Sequence, residues 1–79
     1  MIRLTEIKKD KSIISCKAFV EDCEKGIVIE VDKDGNRMDN SSLPTGYESC
    51  VEHLTMARWF LKSLWDKQTV PEKKLIMWY

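Results

Sequence analysis

Four side chains in this sequence have the chemistry to hold a metal ion. Cys16, Cys23, Cys50 and His53 would supply three thiolates and one imidazole, a donor set that suits tetrahedral zinc. Cys50 and His53 stand at i,i+3, which makes them neighbours on a helix surface. Cys16 and Cys23 have six residues between them, which matches no zinc knuckle. Cys16 also alternates in phase with Ile14 and Ala18, and Cys50 recurs in phase with Leu54 and Ala57. Those are the positions of buried thiols. The pattern therefore favours core or edge cysteines, keeps zinc as the weaker alternative, and predicts no cofactor.

A second spacing, Asp32-x-Asp34-x-Asn36, matches the first ligands of a calcium loop. It then fails, because Arg37 stands where the loop needs glycine and Leu43 where it needs glutamate. A hairpin turn is the expected structure. General acid–base chemistry by histidine would rest on His53, the one histidine present. The chain carries no Ser-His-Asp set, glycine-rich phosphate loop or zincin motif, so catalysis is not expected.

Two surface chemistries remain. Lys62, Lys67, Lys73 and Lys74 are interleaved with Trp59, Trp65, Trp78 and Tyr79. Cations and rings so mixed could hold phosphates and stack bases, the basis of a nucleic-acid-binding alternative. Formal charge is zero, with 13 basic and 13 acidic residues, so long-range attraction to a polyanion gains nothing from the total. The other surface is Trp59 with Met56. On a helical wheel Trp59 falls about 120° and Met56 about 180° from Tyr47, outside the apolar stripe. Exposed tryptophan and methionine side by side are the composition of a protein contact.

Alternation places these groups on elements. Residues 2–7 read as a strand with Ile2 and Leu4 on one face, followed by a polar turn at residues 8–11. Residues 12–22 alternate longer, with Ile14, Cys16, Ala18 and Val20 on the core face. Residues 26–32 place Ile27, Ile29 and Val31 together, and Asp34-Gly35 then marks a tight turn with a short return at Arg37-Met38-Asp39. Thr45 and Glu48 fit a capping box, and Tyr47, Val51, Leu54, Ala57, Leu61, Leu64 and Trp65 recur at helical spacing as far as Lys67. The β-branched and aromatic stretch 74–79 reads as a last strand.

The predicted fold is a single α+β domain, β-β-β-α-β. A mainly antiparallel sheet of three to four strands carries one amphipathic helix on one face. The last strand is expected beside strand one and parallel to it, in order 4-1-2-3. A chain of 79 residues builds a thin core with little room for a deep cleft. No run of 18 apolar residues and no signal-peptide-like stretch is present, which predicts a soluble cytoplasmic protein with reduced thiols. The expected function is a small non-enzymatic protein-interaction or accessory module, with a protein partner or a second copy of itself (a homodimer) as the expected partner and without membrane or nucleic-acid partners.

Overall fold

The computed structural model describes residues 1–77. Strict alternation sets the middle of the sheet. β2 (Ile14–Val20) and β3 (Ile27–Val31) turn Ile14, Cys16, Ala18, Val20, Ile27, Ile29 and Val31 to one side, where all are buried. β1 (Ile2–Lys9) and β4 (Lys74–Ile76) complete an antiparallel sheet in the order β3-β2-β1-β4. The helix α1 (Val51–Ser63) continues into a 3₁₀ turn, Leu64–Asp66. It lays Leu54, Ala57, Leu61 and Leu64 on the buried face, and all four are at most 6% exposed. The architecture is the expected strand–strand–strand–helix–strand, with the last strand beside the first.

The direction of β4 differs from expectation. It runs antiparallel to β1, pairing Ile2 with Ile76 and Leu4 with Lys74. The cause is the segment between β3 and α1. It travels back down the outside of β3 before the helix begins, so α1 starts at the end of the sheet where β2 finishes. His53, early in α1, accordingly meets Glu21 just past β2, and Trp65, beyond its end, meets Asp32 just past β3. The helix then climbs the sheet and β4 must descend. Of the predicted stretch 74–79, Lys74–Ile76 is strand, and Trp78 and Tyr79 lie outside the described residues.

The helix start also differs. Gly46 has φ +92, a left-handed conformation, and turns the chain aside. The carboxylate of Glu48 accepts from the Gly46 N–H at 3.1 Å and does not take part in a capping box with Thr45. Cys50 occupies the N-cap without a side-chain cap bond. Tyr47 therefore precedes the helix, packs against the core, and donates its hydroxyl to Asp22 at 2.7 Å. Val51, expected in the core stripe, is 60% exposed. It lies on the stripe's edge, and Tyr47, one turn before it in the sequence pattern, is not helical.

β1 continues through Lys9 where a turn was expected. Thr5 pairs with Lys17 and Lys8 with Ser15, so Glu6 and Ile7 oppose Cys16 alone. This is a β-bulge, with Glu6 at φ 51. The extra residue reverses the alternation and turns Ile7 into the core, where it is 5% exposed. Lys9 then reaches α1's end. Its Nζ donates to the carbonyls of Leu64, Trp65 and Lys67 at 3.1, 2.9 and 2.7 Å and lies 5.6 Å from the Trp65 ring centroid. A cation on the last carbonyls satisfies orphan acceptors and complements the helix dipole. Among the described residues no helix is long and apolar enough to cross a membrane.

Candidate functional site

The four metal-ligand candidates are placed by unrelated elements. Cys16 sits in the middle of β2 at 4% exposure, and burial, then the nearby charge of Asp39, pushes its thiol up to about 12. A thiol so held is a poor source of thiolate. Cys23 lies buried in the β2–β3 turn with its Sγ 3.8 Å from the Lys25 carbonyl. Cys50 is buried at the N-cap of α1, and His53 Nε2 meets Glu21 Oε1 at 2.8 Å. Among the described residues no group of three or more His, Cys, Asp or Glu side chains is placed to hold a metal ion. Cys16, Cys23, Cys50 and His53 are therefore not brought together as a zinc set.

The calcium-like spacing is absorbed by the turn. Asp32 Oδ1 accepts from the Asp34 and Asn36 N–H groups at 2.9 and 2.8 Å, and its second oxygen takes the Asn36 amide at 3.1 Å. Those bonds, the Asn36 backbone bond foremost, hold its carboxyl below the usual carboxylate range. Gly35 adopts φ +83, as the Asp-Gly pair predicts. The return strand expected at Arg37-Met38-Asp39 is reduced to one bridge, Val31 to Arg37.

The aromatic residues of the C-terminal third are partly committed inside the fold. Trp65 donates its indole N–H to the Asp32 carbonyl at 2.8 Å and meets Lys9 through its ring. Lys74 lies 5.5 Å from the Phe60 ring centroid. Trp59 is different. It stands on the outer ridge of α1, 70% exposed, beside a shallow cavity of about 360 Å³ lined by Trp59, Lys62, Ser63 and Asp66. Met56, expected to be exposed with it, is half-buried one turn from the partly buried Phe60.

One site was not anticipated. Asp39 is a buried carboxylate, its side chain 3% exposed, at the point where the return segment leaves β3. Its oxygens accept from the Glu30 N–H at 3.0 Å, from the N–H and hydroxyl of Ser41, from Arg37 Nε at 3.2 Å and from Arg58 at 3.2 Å. Burial opposes its charge, but these donors outweigh burial and hold its carboxyl down to about 2. The cluster ties the loop to the sheet edge and to α1 at once. Its signal in the sequence is faint: Arg58 at the rim of the apolar stripe, and an aspartate with no strand partner of its own.

Comparison with protein-family models, with curated proteins and with solved structures finds no match.

Proposed function

We propose that this chain is a small non-enzymatic protein-interaction module, and that it self-associates through the outer ridge of α1 at Trp59 and Met56. The observation that carries the reading is the 70% exposure of Trp59 on a helix whose other face buries Leu54, Ala57 and Leu61 in the core. Leaving so large an apolar ring in water forgoes burial that a partner would supply, and interface hot spots are enriched in tryptophan. The half-buried Met56 extends the same ridge with an adaptable apolar side chain. The protein reading is favoured over nucleic acid because Trp65 is already bonded and stacked internally, which removes one ring from any base-stacking surface. Three free cysteines, all buried, fit a reducing compartment such as the cytoplasm.

Sedimentation equilibrium over micromolar concentrations tests the reading. The wild-type chain is expected to associate, and Trp59→Ala to weaken association by about 30-fold or more, the scale of a hot spot. Thermal unfolding of the dilute monomer should be nearly unchanged, since Trp59 contributes little to the core. Wild type that stays monomeric throughout, or a Trp59→Ala chain that associates equally, overturns this assignment.

A further inference from the structure

We propose that the outer edge of β3 receives an extended segment of a partner protein, adding it to the sheet as a fifth strand beside Val28. In an antiparallel pair, residues alternate between those bonded to the neighbour and those whose N–H and C=O face away. Glu30 faces away from β2: its N–H goes to Asp39 Oδ1 at 3.0 Å and its carbonyl accepts from Met38 at 2.9 Å. Val28, two residues earlier on the same strand, must face away as well. Among the described residues its outward N–H and C=O have no hydrogen-bond partner, whereas those of Glu30 have both.

The contrast has a structural cause. The return segment runs alongside β3 only from Arg37 to Asp39. There the Asp39 carboxylate substitutes for a backbone carbonyl on Glu30, and the chain peels away while Ser41 and Arg37 anchor it. It does not close back on β3. A cavity of about 580 Å³ opens between Gly26, Ile27 and Val28 on one side and residues 40–45 on the other. That volume is within the ordinary range of a ligand site. Its sheet-side wall is an unfilled main-chain donor and acceptor, and the group that matches both is another extended backbone.

The slot also selects among occupants. Edge-to-edge pairing of two copies would bring residues 40–45 of each against the other sheet, because a two-fold contact presents the same wall twice. A lone extended segment meets one wall only. The Val28 side chain is 55% exposed on the uncovered sheet face, so the residue opposite it gains most if β-branched or aromatic. The occupant is therefore an extended peptide segment with such a residue at its centre. This site is on the sheet edge and the Trp59 ridge is on the outer helix face, so either assignment stands if the other fails.

The test selects random heptapeptides displayed on phage against the immobilised full chain, then titrates the best, synthesised with blocked ends, into ¹⁵N-labelled protein. The Val28 amide is expected among the largest shifts, and N-methylation of alternate peptide residues should weaken binding about tenfold for each main-chain bond removed. Val28→Pro removes the N–H at an edge position where proline is tolerated and should lose binding. Ser42→Trp fills the slot from the loop side and should lose it too, which keeps the test decisive if the proline variant does not fold. The proposal is overturned if no peptide is enriched, if Ser42→Trp binds like wild type, or if shifts fall on the Trp59 ridge instead. Protection of Val28 by concentration-dependent pairing of the chain with itself would equally overturn it.

Discussion

Replacing Asp39 by asparagine should destabilise the protein at neutral pH and barely do so in strong acid. The side chain is almost wholly enclosed and its charge is met by two arginines, a serine hydroxyl and two backbone N–H groups. Folding lowers its carboxyl from 3.8 to about 2. A depression of this size corresponds to about 2 kcal/mol of preference for the charged form in the folded state. Because the folded value lies below the unfolded one, that stability is fully present above pH 4–5. It is lost as pH falls through the folded value, by which point the carboxyl is protonated in both states. Asp39→Asn removes the charge and leaves donors facing an amide, so a loss of about 2–4 kcal/mol is expected at pH 7. Urea unfolding of both chains at intervals from pH 7 to 2 measures it. Asp10, Asp32 and Glu48 are also lowered by backbone bonds, but they are common to both proteins and cancel in the difference. The gap between the two curves should narrow between about pH 4 and 2. A gap that stays constant through this range would refute the reasoning, since the effect would then come from shape and not from charge.

Two further outcomes follow from the core. Leu61 is fully buried beneath α1, and Leu61→Ala should cost about 2–5 kcal/mol, read as a lower urea midpoint with little change in slope; an unmoved midpoint would mean that the helix face is misassigned. Cys16, its thiol pushed up to about 12 within the sheet, should react with a disulfide reagent at neutral pH only as fast as the protein opens, so mild denaturant should accelerate its labelling; rapid labelling of native protein at Cys16 would contradict its burial.

What could be read from the sequence was what alternation and helical spacing encode locally. The core faces of β2 and β3, the buried positions Leu54, Ala57, Leu61 and Leu64, and the Asp34-Gly35 turn all lie within short windows whose periodicity reports burial directly. The adjacency of β4 and β1 was also legible. The direction of β4 was not, because it depends on where the chain between residues 32 and 50 goes, and that segment has no period. The bulge at Glu6 hid Ile7 for a related reason: one inserted residue breaks the parity on which the reading depends. Asp39 and Lys9 were missed because their partners are distant in sequence. Asp39 is held across the sequence by Glu30 and Arg58, and Lys9 by the three carbonyls at the end of α1. Among the site candidates, the exposure of Trp59 was legible from its angle on the helix, and the open half of the β3 edge was not.

The neighbourhood of β4 and β1 makes the edge of this sheet depend on its longest connection. β1 meets β2 across the short turn from Lys9 to Ile14, but it meets β4 only by pairing Ile2 with Ile76. Closing the longer loop costs about 2 kcal/mol more in chain entropy, and three paired positions have to offset it. The β1–β2–β3 meander is joined by short connections, whereas β4 reaches β1 only after the whole of the long segment and α1. β1 is an interior strand only through its three pairings with β4, so a change that releases β4 would return β1 to the edge of the sheet, open to other chains.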